Sequence, residues 1–327
     1  MKKNIAIVAG GFSSEYVISI KSGKQVLSLI DTNVYNPYFV SITEEEWCVE
    51  IEDKKYPINK ADFSFTDDNN NVINFDVALN IIHGNPGENG KLQAYFDLLK
   101  IPYTTGGVLN SAITFNKFAC KAFLKEHGVN TAKAVLIKEG KPYKTSEILR
   151  QVGLPCFVKP NSGGSSFGVT KVKEEYNLEE AINVAFKEDR EVIIEEFIDG
   201  REYSNGVVKF ADEEILMPVT EIISKNEFFD YEAKYNPEMA DEITPAKLPE
   251  VISKNLRNLS SKIYDLLDCR GIVRIDYLFS ESQFFFMEVN TIPGMSKESI
   301  VPKQLEAMGL NPTEIIHRVI ESARFDK

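Results

Sequence analysis

The chain has 327 residues, 43% hydrophobic and 26% charged, which exceeds a single core and predicts two or three domains. Its net charge of −12, with no basic run, excludes a nucleic-acid partner but not small anions held by local cations. No apolar run reaches bilayer-spanning length and no signal peptide precedes the first strand, so no membrane partner and a cytoplasmic location are expected.

Asn4 to Gly10 (NIAIVAG) is a continuous apolar run ending in Gly10-Gly11, the pattern of a buried parallel strand feeding a turn. Residues 13–29 follow with helical spacing, marked by Val17, Ile20, Val26 and Leu27, with Ile30 just beyond. Strand, glycine turn and helix predict a doubly wound unit, without the full GxGxxG of a dinucleotide site. Strands are expected over 36–43 and 75–82, the second ending at His83-Gly84, with loop and a short hairpin across 52–71. A helix over 92–99 and a short strand over 101–104 complete a first α/β domain, residues 1–105. Trp47 reads as one of its structural residues.

A central part, residues 106–194, begins with a helix over 111–127 carrying Lys117 and Lys121. Strands over 132–137 and 153–159 lead to a Gly/Ser loop, Pro160 to Gly168 (PNSGGSSFG). A strand over 169–172, a helix over 178–186 and a strand over 191–197 follow. The last part, residues 195–327, has sheet over 202–210 and 214–222, then a long polar and aromatic loop over 224–245. An amphipathic helix over 251–267 precedes two strands, 271–278 and 283–289, and two closing helices. His127 and His317 read as ordinary helix residues. Cys48, Cys120, Cys156 and Cys269 lack CxxC spacing and read as reduced, buried thiols.

Alternation along the two late strands puts Arg274 and Asp276 on one face, and Glu288 and Asn290 likewise. In register, an arginine, two carboxylates and an amide converge, a set of oxygen donors suited to Mg²⁺. The plain alternative is a solvated charged face on an edge hairpin. The rigid turn at Pro293-Gly294, straight after the acids, favours a site built on loop backbone. The loop Pro160 to Gly168 lacks the lysine and following helix of a P-loop. Its glycines and serines could cradle phosphate or act as a linker. Lys159, at the end of the preceding strand, is either a snorkelling edge residue or a phosphate ligand beside that loop. Glu195-Glu196-Phe197-Ile198 closes a strand, as purine walls do and as polar strand ends also do. Glu15 sits at a helix start, where the dipole stabilises an acid in any case.

Three segments, FVKPNSGGSSFGV, VIIEEFIDGREY and GIVRIDYL with FFFMEVNTIPGMS, resemble in that order the ATP-grasp fold. With GGFSSEYVISIKSG and HGNPGENGKLQ, the chain resembles the D-alanine–D-alanine ligase family from about Ile5 to about Glu321. The resemblance implies an N-terminal doubly wound parallel-sheet domain followed by a two-part ATP-grasp fold. It implies ATP-dependent joining of two D-alanine molecules through a D-alanyl phosphate, releasing ADP and phosphate, for peptidoglycan precursors. Lys117 and Lys159 are then expected at the ATP phosphates, and Glu195, Glu196, Phe197 and Ile198 at adenine. Glu202 is expected at the ribose and Phe228 over the purine. Lys234 is expected to reach the γ-phosphate when the lid, 224–245, closes. Asp276, Glu288 and Asn290 are implied to hold two Mg²⁺ ions, for which Mn²⁺ can substitute. The implied catalytic set is Glu15, Ser165, Tyr235, Arg274 and Gly294. Glu15 takes the first D-alanine's ammonium and is hydrogen-bonded to Ser165 and Tyr235, while Arg274 and the Gly294 N–H face an oxyanion. His83 lies by the first D-alanine's carboxylate and Ser299 binds the second's. A homodimer is implied.

Alternatives are a D-alanine–D-lactate ligase, another ATP-grasp carboxylate–amine ligase, or a nucleotide-binding regulator that has lost catalysis. The intact Lys234-Tyr235 pair stands against the first, and the retained Arg274, Asp276, Glu288 and Asn290 against the last. The chain departs from some relatives at Asn161-Ser162-Gly163-Gly164 and at Asn89, to which no catalytic role is assigned.

Overall fold

The computed structural model describes residues 2–164, 166–224 and 240–326. The first sheet is built from β1 (Lys3–Gly10), β2 (Tyr35–Ile42), β3 (Trp47–Ile51), β4 (Lys54–Pro57) and, after the short β5 (Phe65–Thr66) and β6 (Val72–Ile73), β7 (Val77–Asn80). Its order is β4-β3-β2-β1-β7. The central β1 runs parallel to β2 and β7, and Ile5 to Ala9 are wholly buried, as an unbroken apolar run requires. Helices α1 (Tyr16–Leu29) and α2 (Lys91–Leu99) accompany it. The expected strand over 101–104 is only a bridge from Tyr103 to Ala78. Strand β3, which was not expected, pairs antiparallel with β2.

The single helix expected over 111–127 is two, α3 (Val108–Phe115) and α4 (Lys117–Glu126). Asn116 breaks it with extended backbone, and its side chain accepts the Ala119 N–H, a helix cap. Lys117 therefore opens α4 rather than sitting mid-helix. The central sheet has β8 (Ala134–Lys138), β9 (Cys156–Pro160), β10 (Thr170–Val172) and β11 (Glu191–Glu196), with helices α5 (Thr145–Val152) and α6 (Leu178–Ala185). Its order is β10-β9-β11-β8, all antiparallel. β11 runs on to Glu196, so the boundary expected after residue 194 falls inside a strand.

The third sheet comprises β12 (Arg201–Lys209), β13 (Glu214–Leu216), β14 (Thr220–Ser224), β15 (Ala240–Ile243), β16 (Val273–Ser280) and β17 (Gln283–Asn290). Its order is β15-β14-β12-β16-β17, with β13 on β12. The loop expected over 224–245 is thus partly sheet, because β15 pairs with β14. The β16–β17 turn has Glu281 and Ser282 both at positive φ, as a tight two-residue hairpin demands. Helix α7 (Glu250–Leu266) covers this sheet, and α8 (Ile300–Ala307) and α9 (Pro312–Glu321) close the chain. These last helices return to the first sheet. Val301, Leu305, Ile315, Ile316 and Val319 share one core with Ile5, Ile7 and Val26. That core fixes the loop after β17 against the start of α1. All four cysteines are buried and free. Among the described residues no helix is long and apolar enough to cross a membrane.

Candidate active site

The β16–β17 register places Arg274 opposite Asn290 and Asp276 opposite Glu288. Opposed residues share a face, and so do residues two apart, so all four converge as the alternation requires. Asp276 is buried and accepts from Ser204 Oγ at 2.6 Å and Asn290 Nδ2 at 3.0 Å. Arg274 forks it with Nε at 3.0 Å and Nη2 at 2.8 Å, the strong bidentate geometry. Since the Asn290 NH₂ is spent on Asp276, its oxygen is the atom it can offer a metal.

Lys117, first residue of α4, places Nζ 3.6 Å from Glu288 Oε2 and donates to the Gly163 carbonyl of the Gly/Ser loop. That loop reaches the start of α1. A Cβ on Gly164 would lie 2.5 Å from both carboxylate oxygens of Glu15, and one on Gly84 would lie 3.2 Å from Glu15 Oε2. The Glu15 side chain is therefore boxed between two glycines. His83 is buried, with Nε2 3.4 Å from Ser22 Oγ. Burial pulls its imidazole below the ordinary range, against the pull of Glu15, so it is neutral at pH 7. Beyond β17, a Cβ on Gly294 would lie 2.8 Å from Ser299 Oγ, and Ser299 occupies the N-cap position of α8 without a side-chain capping hydrogen bond.

Glu15, His83, Lys117, Arg274, Glu288, Asn290, Gly294 and Ser299 line one cavity of about 1020 Å³, at the upper limit of the usual small-molecule range of roughly 300–1,000 Å³. Asp276 stands behind this wall. Lys159, Glu195 to Ile198 and Glu202 are not part of it. Lys159 lies on β9, Glu195 and Glu196 end β11, Phe197 and Ile198 are in the connection after it, and Glu202 is at the start of β12. Lys159 is paired with Ile193 across β9 and β11, and Glu195, two residues on, shares that face. The Glu195 carboxylate is held by Lys159 Nζ at 2.5 Å and by Lys121. Its side chain is therefore committed to lysines, leaving backbone for a purine. Phe197 packs on Phe157 with Lys171 over its ring at 4.1 Å, and Glu196 accepts the Lys133 N–H at 2.8 Å. Ser165, Phe228, Lys234 and Tyr235 lie outside the described residues.

The first sequence match to decide the family is extensive. The D-ala D-ala ligase N-terminus model matches residues 4–106 and the D-ala D-ala ligase C-terminus model residues 123–321. The chain belongs to the D-alanine–D-alanine ligase family. It is 48% identical over 324 residues to a D-alanine–D-alanine ligase of Phocaeicola vulgatus, covering 98% of this chain and 99% of that one. It is 50% identical over 323 residues, with the same coverage, to one of Azobacteroides pseudotrichonymphae. Its fold matches D-alanyl-alanine synthetase A of Vibrio cholerae at TM-score 0.88, 26% identity and 98% of both chains. It matches VanG D-Ala:D-Ser ligase of Enterococcus faecalis at TM-score 0.87 and 32% identity, covering 98% of this chain and 99% of that one. The mixed α/β, ATP-grasp architecture expected from the sequence is the family's.

For Mg²⁺, the metal such a ligase uses with ATP, the donors fit. Glu288 and Asn290 line the cavity with the Asp276 carboxylate just behind them, and Mg²⁺ favours one or two carboxylates plus phosphate oxygens. No group of three or more His, Cys, Asp or Glu gathers among the described residues.

Two residues of the site escaped the sequence reading. One is Lys121, taken up below. The other is Glu88, which lines the cavity and ties two loops together. It accepts from Gly84 N at 2.8 Å, Ile292 N at 3.3 Å and Thr291 Oγ1 at 3.4 Å. Burial, reinforced by Glu15, pushes its carboxyl up to about 8, although the N–H donors and Lys117 pull the other way. The unfolded chain releases this proton near the ordinary glutamate range while the folded protein keeps it. Stability from this group therefore falls as pH rises from about 4.5 toward 8. Glu88→Gln is expected to flatten that part of the melting-temperature profile of the ligand-free protein. A Glu88→Gln profile parallel to the parent's from pH 5 to 8 would contradict the protonated assignment.

Proposed function

We propose that the chain joins two D-alanine molecules to D-alanyl-D-alanine at the cost of ATP, releasing ADP and phosphate, and so supplies peptidoglycan precursors in the cytoplasm. The observation that carries this reading is one cavity in which an ammonium-seeking acid, a neutral imidazole, a phosphate-seeking lysine, an Arg–Glu–Asn face backed by Asp276, and a helix N-terminus meet. Glu15, buried and boxed by Gly84 and Gly164, takes the first substrate's ammonium, with Ser165 and Tyr235 proposed as its partners. Neutral His83 stands by its carboxylate without competing for that ammonium. The carboxylate attacks the γ-phosphate, forming a D-alanyl phosphate as the bond to ADP breaks. Lys117 and Lys159, with Lys234 from the lid, neutralise the phosphoryl charge. The backbone of Glu195, Glu196, Phe197 and Ile198 faces adenine, Glu202 the ribose, and Phe228 covers the base. When bound to Asp276, Glu288 and Asn290, two Mg²⁺ ions, replaceable by Mn²⁺, supply charge neutralisation to the transferring group.

Ser299 at the positive end of α8 holds the second substrate's carboxylate. Its amine attacks the acyl phosphate, the oxyanion faces Arg274 and the Gly294 N–H, and phosphate leaves. Each such donor is worth about 3 kcal/mol. Lid residues 224–245 exclude the water that would hydrolyse the acyl phosphate. We divide the chain at 1–105, 106–196 and 197–327, moving the last boundary to the end of β11. A homodimer is the proposed assembly. Leu98 and Leu109, exposed on the adjoining helices α2 and α3, are apolar surface such a contact would cover.

Phosphate release measured across D-alanine, L-alanine, D-lactate and D-serine tests the reading. Turnover with D-alanine alone is expected, with D-lactate and D-serine poor second substrates when D-alanine is present. Mixed products dominated by D-alanyl-D-lactate or D-alanyl-D-serine at neutral pH would replace it with the depsipeptide or D-serine alternative.

A further inference from the structure

Helix α4 carries two lysines one turn apart, Lys117 and Lys121, which face the same way. Lys117 reaches the cavity. Lys121 points deeper, with only 5% of its side chain exposed, as little as Glu195. Glu195 divides its carboxylate between two cations. Lys121 takes Oε1 and Lys159 takes Oε2. Burial works against the charge on Glu195, yet the two lysines hold it ionised, down to about 2. Burial pulls Lys121 down, and Lys159 adds to that, while Glu195 resists. Lys159 loses less. Burial lowers it, but Glu195, Glu288 and Glu202 leave it raised overall.

A buried pair could be retained simply for specificity of packing. Two ammoniums on one carboxylate is a different arrangement, because the acid's hold on each is shared, while Glu288 and Glu202 add negative charge near Lys159. We propose that Lys121 is a positioning residue for the nucleotide site. By occupying one oxygen of Glu195, it weakens that acid's grip on Lys159, so that the Lys159 ammonium can turn to an incoming phosphate. This rests on the reading of Lys159 as a phosphate ligand. In water-poor surroundings an unshared Lys–Glu pair is strongly self-satisfying. Removing Lys121 would therefore lock Lys159 onto Glu195 rather than free it.

The test is equilibrium binding of a non-hydrolysable ATP analogue with Mg²⁺, alongside steady-state KM for ATP and for D-alanine. Lys121→Met is expected to raise the analogue Kd and the KM for ATP about tenfold and to leave the KM for D-alanine within about threefold. Lys121→Arg, which keeps a cation on Oε1, is expected within about threefold of the parent in all three. The deciding comparison is Glu195→Gln against Lys121→Met/Glu195→Gln. Without a carboxylate to share, Lys121 no longer matters, so the two should bind the analogue within about threefold of each other. This comparison holds even if Lys121→Met alone does not fold. Equal losses from Lys121→Met in both backgrounds, or no change in ATP affinity in the parent background, would overturn the proposal. Lys159→Met separates the two readings. If it binds the analogue like the parent, the phosphate role of Lys159 fails. If it weakens binding and Lys121→Met does not, only the Lys121 proposal fails.

Discussion

Glu288→Gln is expected to lower turnover by about a thousandfold or more while leaving the fold in place. Glu288 sits opposite Asp276 in the β16–β17 register and faces the cavity with its side chain about one-quarter exposed, 3.6 Å from Lys117. Glutamine keeps the shape and removes the anion. Two terms then change. The site loses a charged oxygen donor on the face proposed for Mg²⁺, and charge neutralisation of a transferring phosphoryl group is worth several kcal/mol, which is roughly a thousandfold in rate. The Lys117 contact weakens too, but a partly exposed pair at that distance contributes at most about 1 kcal/mol. Melting temperature should therefore stay close to the parent's. Nucleotide affinity without divalent metal should hold or rise, since one negative charge near the phosphates is gone, while the gain in affinity on adding Mg²⁺ should largely disappear. A variant retaining turnover within about tenfold would remove Glu288 from the metal face.

The parts of this site that could be read from the sequence are those set by short-range rules. Period-two alternation is enough to bring Arg274, Asp276, Glu288 and Asn290 together, because a hairpin with a two-residue turn has little freedom of register. The buried β1 announces itself by an unbroken apolar run, and the start of α1 by the glycine turn before it. What could not be read depends on contacts far apart in the chain. Glu88 looks like one acid in a glycine-rich turn, and its partners Thr291 and Ile292 stand more than two hundred residues away. The commitment of Glu195 to Lys121 joins α4, whose Cys120 and Leu124 sit in the core of the third sheet, to a strand of the central sheet, a contact no periodicity encodes. Lys121 did carry a signal. It lies four residues after Lys117 and beside Cys120, and Leu124 follows on that face. A lysine placed so deep in an apolar surface needs an acid partner. The break at Asn116 is encoded by its capping chemistry, but helical spacing of apolar residues runs on across it and masks the break. Strand β15 failed for a related reason, because an edge strand beginning in a polar loop resembles the loop.

Gly164→Ala is expected to disable the first-substrate site without touching an ionisable group. The added methyl would meet both Glu15 oxygens at 2.5 Å and its Cδ at 2.8 Å, well inside contact distance. Gly164 is not among the glycines with positive φ, so alanine brings no backbone strain and the whole effect falls on the facing carboxylate. Glu15 can retreat only towards the cavity it lines. Gly84 closes its other side, where a Cβ would stand 3.2 Å from Oε2, and its own backbone N–H is held by Ser13 Oγ at 3.3 Å. The carboxylate must shift by about an ångström, and misplacements of that size cost roughly a hundredfold in rate. The loss should appear in kcat/KM for D-alanine, with nucleotide binding within about threefold of the parent. Glu15→Gln, which keeps the shape and removes the charge, should show the same pattern by a different route. Because both act on one carboxylate, the double variant should be little worse than the poorer single one. Fully additive losses would mean that the methyl acts elsewhere, and parent-like kinetics in Gly164→Ala would mean that Glu15 does not work from the position it holds here.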